Sequence, residues 1–83
     1  MYTYEFTSKA LREIKKLDKK TQRLIIKKID FYCNVELLLN TKHLIDRSIG
    51  NYRFRIGDYR VIFDIDGKMI TILKIGHRKD IYK

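Results

Sequence analysis

The sequence predicts an α+β domain in which two helices pack on one face of a sheet. Three observations lead to this prediction. A short segment of alternating residues opens the chain, two lysine-rich amphipathic segments follow it, and three alternating segments separated by glycine turns fill the last third. We therefore expect the element order β-α-α-β-β-β, with an N-terminal strand, an antiparallel helical hairpin and a three-stranded antiparallel meander. At 83 residues the chain has the size of one small domain, which we place at residues 1–83.

The N-terminal strand and the first helix are predicted from their patterns. Residues 2–7, YTYEFT, alternate large residues with polar ones, which is typical of a half-buried strand. Thr7 or Ser8 can cap the helix that follows by accepting hydrogen bonds from the free N–H groups of its first turn. The apolar residues of that helix recur three apart: Leu11, Ile14 and Leu17.

Asp18 can cap a second helix, which a short connection would place antiparallel to the first. Its apolar residues are expected to share one face, with lysines on the other. The residues of that face are Leu24, Ile25, Ile29, Tyr32 and Cys33. Residues 34–51 carry a weaker pattern, whose leucines predict a short helix or a packed loop.

The last third of the chain contains the clearest strand patterns. Residues 52–56 alternate aromatic and aliphatic residues with arginine, and Gly57–Asp58 then predicts a tight turn. Residues 59–65 alternate in a similar way and lead to Asp66–Gly67, a strong signal for a two-residue hairpin. Residues 69–75, MITILKI, are nearly all apolar, so we expect this strand at the centre of the sheet.

The charge of the chain indicates a polyanionic partner. A net charge of +9 and a pI near 9.8 create a field that attracts nucleic acid, an anionic membrane surface or an acidic protein. No apolar run approaches the roughly 20 residues that cross a bilayer, and no secretory leader is recognisable. Cys33 is the only cysteine, which excludes an internal disulfide and disfavours a zinc site. We expect a cytoplasmic protein without a cofactor.

Arginine and tyrosine cluster where a small core does not require them. Alternation puts Arg53 and Arg55 on one face about 7 Å apart, and Arg60 on the neighbouring strand should share that face. The tail adds further candidates at the same end of the sheet: His77, Arg78 and Tyr82. Guanidinium groups bind phosphate oxygens bidentately, and aromatic rings stack on unpaired RNA bases.

This set suits RNA cleavage without a metal ion. No pair of acidic residues stands at an obvious metal-binding spacing. In RNA the 2′-OH can attack its own 3′ phosphate, so a protein needs to activate that hydroxyl, stabilise the phosphorane and protonate the leaving oxygen. The residues alone leave a second interpretation open, in which the arginines form a solvated face that discourages edge pairing.

Residues 52–82, YRFRIGDYRVIFDIDGKMITILKIGHRKDIY, closely resemble the C-terminal half of the RelE toxins of the RelE/ParE superfamily. The shared pattern is a basic strand, G-x-Y-R followed by apolar residues, and a final G-[HK]-R-x-x-x-Y. The resemblance extends over the whole chain in length and element order. It implies the toxin of a type II toxin–antitoxin system, a ribosome-dependent endonuclease that cleaves mRNA in the A site and inhibits translation. It also implies an acidic, RelB-like antitoxin as partner.

The resemblance implies roles for individual residues. Arg53 and Arg55 would contact or activate the scissile region, and Arg60 would stabilise the phosphate. Arg78 would assist the leaving group, and Tyr82 would position the nucleotide. Two lysines are predicted to add RNA contacts: Lys74 and Lys79.

Two departures from the RelE pattern affect these roles. The RelE pattern carries lysines on the second strand, whereas this chain has Arg53 and Arg55 there. Because arginine does not lose its proton in proteins, His77 or Tyr82 is the expected activator of the 2′-OH. Many relatives continue into a further helix after the tyrosine, whereas this sequence ends at Lys83, so we expect its tail to be more mobile than theirs.

Two other functions are compatible with the same fold. A ParE-like toxin would poison DNA gyrase and cleave no RNA, but that branch lacks the full set of Arg60, Arg78 and Tyr82. A decayed toxin would keep Arg53 and Arg55 only to bind RNA or antitoxin. The full set favours the nuclease, and a substitution at Arg78 should separate an active enzyme from a binding module.

Overall fold

The computed structural model describes residues 2–34, 42–43 and 52–81. Within them, two helices and five strands follow the predicted order, with one short strand added before the meander. The elements are β1 (Thr3–Phe6), α1 (Ser8–Lys15), α2 (Lys19–Asn34), β2 (Lys42–His43), β3 (Tyr52–Ile56), β4 (Tyr59–Asp66) and β5 (Met69–His77). The added strand falls within residues 34–51, for which the sequence predicted a short helix or a packed loop. Residues 35–41 and 44–51 lie outside the described residues.

The strands form one sheet in the order β1-β5-β4-β3-β2. β5 pairs in parallel with β1 and antiparallel with β4, while β3 pairs antiparallel with both β4 and β2. The predicted antiparallel meander is confirmed as β3-β4-β5. β5 is an interior strand between β1 and β4, while the centre of the sheet, where the sequence placed β5, is occupied by β4. The helical hairpin carries the chain from β1 at one edge of the sheet to β2 at the other.

The two hairpin turns depend on glycines with positive φ. Gly57 and Asp58 connect Ile56 to its partner Tyr59, as predicted, and Gly57 has φ of 60°. In the second hairpin Asp66 pairs with Met69, so the turn consists of Gly67 and Lys68 and lies one residue later than the sequence indicated. Gly67, also with φ of 60°, takes the first central position, where a type II′ turn requires glycine.

Both helices begin where the sequence predicted a cap. The hydroxyl of Thr7 accepts a hydrogen bond from the Ala10 N–H at 3.1 Å. A carboxylate oxygen of Asp18 accepts one from the Thr21 N–H at 3.4 Å, ahead of α2. These bonds satisfy donors that the first turn of a helix leaves without an intrahelical partner. Neither helix in the described part of the chain is long and apolar enough to cross a bilayer.

One hydrophobic core lies between the helices and the sheet. Phe54 at its centre stacks on Phe63 at a ring-centroid distance of 4.4 Å and on Tyr32 of α2 at 4.7 Å. The buried side chains of this core are Ala10, Ile14, Ile25, Ile29, Cys33, Phe54, Ile56, Val61, Phe63, Ile70, Ile72 and Ile75. The expected packing of the helices on one face of the sheet is therefore confirmed.

The helices turn slightly different faces to the core than the sequence predicted. Leu11 and Leu24 were assigned to the buried faces, but 42% and 46% of their surfaces are exposed. In α2 the buried residues are Ile25, Ile29 and Cys33, which recur four apart. Leu24 lies one residue, or about 100° of rotation, away from that row and points outward.

Candidate functional site

Strand register places three of the predicted arginines on one face of the sheet. Arg55 of β3 lies directly opposite Arg60 of β4, and Arg53 lies opposite Ile62. Opposed residues of antiparallel strands project to the same side, with Cβ atoms about 5 Å apart. Arg53 and Arg55 are two residues apart on β3, about 7 Å along the strand. The three guanidinium-bearing side chains therefore leave the sheet from the side opposite the main core.

β5 extends this surface by one lysine. Gly76 pairs with Arg60, and Lys74 pairs with Ile62, so each row of the surface crosses all three strands of the meander. We call the surface formed by Arg53, Arg55, Arg60 and Lys74 the basic face. Ile62 sits in the middle of it and is fully buried. A face with a buried apolar centre differs from the simple solvated face that was the second interpretation of the alternating arginines.

A β-bulge decides which residues of β5 reach the basic face. Ile62 pairs with Lys74 and Phe63 with Ile72, so Leu73 is an extra residue on β5. Beyond this bulge the alternation of β5 changes phase. As a result Lys74 joins the basic face, whereas Ile75 continues the buried side with Ile72.

The Arg60 guanidinium is held over the first hairpin turn. Its Nη1 donates hydrogen bonds to the carbonyl oxygens of Gly57 and Tyr59, both at 2.9 Å. A guanidinium carries five N–H donors, so Nε and Nη2 still offer donors to an anion. The two hydrogen bonds from Nη1 therefore fix the positive charge of Arg60 beside the turn, and the remaining N–H donors of the guanidinium can still bind an anion.

Arg78 is attached to the same turn. Its backbone N–H donates to the Asp58 carbonyl at 2.7 Å, and its Nε lies 3.7 Å from a carboxylate oxygen of Asp58. The two side chains are 57% and 66% exposed, so the ion pair contributes at most about 1 kcal/mol. A phosphate group could displace this weakly held carboxylate. The structure therefore brings Arg78 and Arg60 to one end of the sheet, as predicted.

The segment that follows β5, from Arg78 onward, is held against the sheet as far as Ile81. The backbone N–H groups of Asp80 and Ile81 donate to the His77 carbonyl at 2.8 and 3.0 Å. Ile81 is 1% exposed, and a Cβ atom added at Gly76 would lie 3.1 Å from its Cδ1. These contacts hold residues 78–81 against the end of the sheet. Tyr82, which was predicted to position the nucleotide, lies outside the described residues.

His77 does not lie on the basic face. It pairs with Tyr59, whose other cross-strand partner is the buried Ile56, so the imidazole projects to the core side of the sheet. Its ring lies edge-on to the ring of Tyr59, with the two ring centroids 5.6 Å apart. His77 Nδ1 accepts the Lys79 N–H at 3.1 Å, which assigns the proton of the neutral ring to Nε2. In this arrangement neither ring nitrogen presents a lone pair to an RNA hydroxyl on the basic face.

Lys79 is exposed at the turn after β5 and is linked to His77 through its backbone. Cys33 is buried, and burial raises the pKa of its thiol, as expected for a structural cysteine. Among residues 2–34, 42–43 and 52–81, no three His, Cys, Asp or Glu side chains are grouped so that they could hold a metal ion.

Sequence reasoning missed Glu13, a half-buried carboxylate next to the site. Its Oε1 accepts the backbone N–H of Ile75 at 2.9 Å. β5 has nine residues and β1 only four, so β1 ends opposite Ile72, and none of the described strands pairs with that edge of β5 beyond Ile72. The segments predicted for these two strands, residues 2–7 and 69–75, are nearly equal in length, so the sequence predicted neither the unpaired edge of β5 nor the residue beside it.

Comparison with known proteins gives a family and several relatives. Residues 4–82 match the family described as the ParE toxin of the type II toxin–antitoxin system parDE. Toxin RelG of Mycobacterium tuberculosis is 32% identical over 84 residues, which cover 99% of this chain and 97% of that protein.

Two solved structures share the fold closely. The toxin–antitoxin complex RelBE2 of Mycobacterium tuberculosis contains a chain that is 29% identical, with a TM-score of 0.81, and the match covers 93% of this chain and 98% of that one. The archaeal RelE–RelB complex of Pyrococcus horikoshii OT3 contains a chain that is 26% identical, with a TM-score of 0.74 and coverage of 95% and 97%.

Proposed function

The chain belongs to the ParE toxin family within the RelE/ParE superfamily of type II toxins, and we propose that it cleaves mRNA in the ribosomal A site. The observation that carries the proposal is the convergence of Arg55, Arg60 and Arg78 at the Gly57–Asp58 turn. Guanidinium groups stay charged throughout a reaction and match the oxygens of a phosphate. A site of this kind binds an RNA backbone and stabilises negative charge that develops on it.

The proposed reaction is an internal transfer within the RNA. The 2′-oxygen attacks the adjacent phosphorus, the bond from phosphorus to the 5′-oxygen breaks, and the products are a 2′,3′-cyclic phosphate and a 5′-OH. One proton leaves the 2′-OH and one is delivered to the 5′-oxygen. Arg60 would stabilise the charge on the phosphorane, and Arg78 would lie beside the leaving oxygen. Arg53, Arg55 and Lys74 would hold the neighbouring phosphates.

The geometry favours one of the two groups expected to accept the proton of the 2′-OH, which are His77 and Tyr82. Arginine does not act as a base, and His77 faces away from the basic face with its Nδ1 engaged by Lys79. We therefore retain Tyr82 of the two expected activators. Orientation of the RNA on the ribosome and charge stabilisation by arginine would then supply most of the rate enhancement.

An acidic antitoxin is the proposed protein partner. The related toxins were solved in complexes with RelB-type antitoxins, and this chain carries a net charge of +9. An acidic segment lying across the basic face would neutralise the arginines and exclude RNA, and charge attraction would speed its association. The ribosome and mRNA are the proposed targets, and the cytoplasm the proposed compartment.

A second candidate function comes from the name of the matching family. A ParE-like action on DNA gyrase would use the same fold without RNA cleavage. The combination of Arg60 and Arg78 at one turn favours the nuclease, because gyrase inhibition does not require groups that stabilise a phosphorane.

Primer extension on mRNA held on purified ribosomes with an empty A site tests the proposal. We expect a new stop within the A-site codon that is lost with Arg78→Ala and kept with Arg23→Ala, an exposed arginine on α2. An unchanged ladder with folded protein would overturn the proposal. A parallel DNA supercoiling assay would then show whether gyrase is the target or whether the chain only binds.

A further inference from the structure

Side chains of α1 and of its N-cap residue contact the part of β5 that lies beyond the end of β1. β1 pairs with β5 only as far as Ile72, and α1 packs beside β5. The Thr7 hydroxyl donates a hydrogen bond to the Leu73 carbonyl at 3.4 Å. Oε1 of Glu13 accepts the Ile75 N–H at 2.9 Å. Polar side chains thus satisfy backbone groups that a neighbouring strand would otherwise pair.

These two hydrogen bonds flank the β-bulge of β5. The Ile72 carbonyl accepts a backbone hydrogen bond from the end of β1 at 3.0 Å, so the backbone groups of Ile72 face β1. Regular alternation would next turn the N–H of Lys74 toward that side, but the N–H found there is that of Ile75. The bond to Glu13 therefore reads the phase that β5 has only because Leu73 is an extra residue.

A regular β5 would present different residues to the candidate site. Without the extra residue, every later residue of β5 would move by one position along β4. Lys74 would leave the basic face for the core side, and Ile75 would take its place. Arg78 would lie about 3.3 Å from its present position, where its N–H donates to the Asp58 carbonyl. The bulge thus decides whether two of the proposed phosphate-binding cations reach the site.

Two contributions favour the bulged register. Ile75 is buried in it, whereas the regular register would bury the lysine and expose the isoleucine. The bond from the Ile75 N–H to Glu13 adds a backbone interaction that the regular register lacks. We propose that Glu13 is a positioning residue, which holds β5 in the bulged register and so places Lys74 and Arg78 in the site. This inference rests on the proposed RNA cleavage and adds a residue of α1 to it.

NMR of the purified chain tests the register without the ribosome. Glu13→Met keeps the length of the side chain but removes the acceptor. We expect the Ile75 amide to exchange about three- to tenfold faster, as for the loss of one hydrogen bond. Cross-strand NOEs should weaken between Ile62 and Lys74 and appear between Val61 and Lys74. Glu13→Gln keeps an oxygen acceptor for the N–H and should restore both observations.

Cleavage of mRNA on ribosomes measures the effect on the site. Glu13→Met should lower the single-turnover rate at saturating protein by about tenfold or more, because a misplacement of about 1 Å can cost about 10²-fold. The protein concentration that gives half the maximal rate should change little, since the arginines on β3 and β4 keep their places: Arg53, Arg55 and Arg60. Glu5→Met is the matched control, which removes the same charge from an exposed position on β1 and should change neither value.

Deletion of Leu73 separates the register from any other effect of Glu13. The shortened strand would be regular and would still place Lys74 opposite Ile62, so cleavage should persist and should no longer fall with Glu13→Met. Equal losses with and without Leu73 would overturn the positioning role, as would an unchanged register and unchanged Ile75 exchange in Glu13→Met. A changed register in Glu13→Met, in a chain whose unmodified form cleaves no mRNA on ribosomes, would support the role in β5 and overturn the nuclease.

Discussion

Arg55 and Arg60 lie directly opposite each other on β3 and β4, with both side chains on the same side of the sheet. Like charges at such a position destabilise a sheet by about 0.2–1 kcal/mol. Arg60 is further fixed by its two bonds to the carbonyls of Gly57 and Tyr59, so it cannot simply turn away. A phosphate bound between the two guanidinium groups would convert this repulsion into attraction, as expected of a site that gives up stability for function.

The first prediction concerns this pair. Replacing Arg55 by Gln should raise the free energy of unfolding by up to about 1 kcal/mol, because the repulsion with Arg60 disappears. The same change should weaken RNA cleavage, since one phosphate contact is lost. Urea unfolding at low salt and the ribosomal cleavage assay measure the two effects. Arg23→Gln on α2 is the control and should change neither. A loss of stability in Arg55→Gln would show that the pair is held by attraction to another group.

The second prediction concerns the anchor of the tail. Ile81 is buried against Gly76, three residues after Arg78. Ile81→Ala should lower the free energy of unfolding by about 2 kcal/mol, at the low end of the range for truncation of a buried aliphatic side chain. RNA cleavage, measured at a temperature below the unfolding transition, should also fall, because the turn from His77 to Ile81 positions Arg78.

Ile81→Val tests whether the effect depends on how much buried volume is lost at this position. It removes one methylene and should cost about 1 kcal/mol or less, with nearly full cleavage. Leu24→Ala, at an exposed position of α2, should affect stability least of the three. If Ile81→Ala cleaves like the unmodified chain, the tail does not position Arg78 through this contact.

The third prediction assigns a positioning role to His77. Its Nδ1 receives the Lys79 N–H, and an asparagine oxygen at this place can receive the same bond. His77→Asn should therefore cleave almost as well as the unmodified chain, whereas His77→Ala should lose about three- to tenfold. A general base contributes about 10²–10⁴-fold to a rate. Equal and severe losses in both variants would restore His77 as the base.

The basic face was predictable because two local rules were sufficient. Residues two apart on a strand share a side, and a two-residue turn at Gly57–Asp58 fixes which residue of β4 faces which residue of β3. These rules place Arg53, Arg55 and Arg60 together without any knowledge of the core, and the register of the structure agrees.

The positions of His77 and Lys74 could not be predicted in the same way. Counting alternation from Ile72 would put Lys74 on the core side and His77 on the opposite side. The bulge at Leu73 reverses both assignments. A bulge of this kind has no signature in the sequence MITILKI, because every residue around it is compatible with a regular strand. The contact of Glu13 with Ile75 is equally hidden, since it joins residues 62 positions apart.

The last prediction concerns stability at high pH. The Tyr4 hydroxyl donates a hydrogen bond to Asp30 at 2.7 Å and thereby joins β1 to α2. Burial and this bond to a carboxylate raise the pKa of Tyr4 from 10.0 to about 12. The folded chain therefore keeps the phenol proton over a range in which the unfolded chain has released it. Stability from this group is complete below about pH 10 and is lost as the pH rises toward 12.

Comparison of the unmodified chain with Tyr4→Phe isolates this effect from the other groups that titrate at high pH. We expect the unmodified chain to be the more stable at pH 8, by about 0.5–1.5 kcal/mol for the hydrogen bond, and to lose that advantage between pH 10 and 12. Asp30→Asn keeps an acceptor but removes the charge that opposes ionisation of the phenol, so its loss of stability over this range should be smaller. Urea midpoints measured at intervals from pH 8 to pH 12 give the three curves. A constant difference between the unmodified chain and Tyr4→Phe over this range would mean that the phenol ionises equally in the folded and unfolded states, and that the bond to Asp30 does not hold its proton.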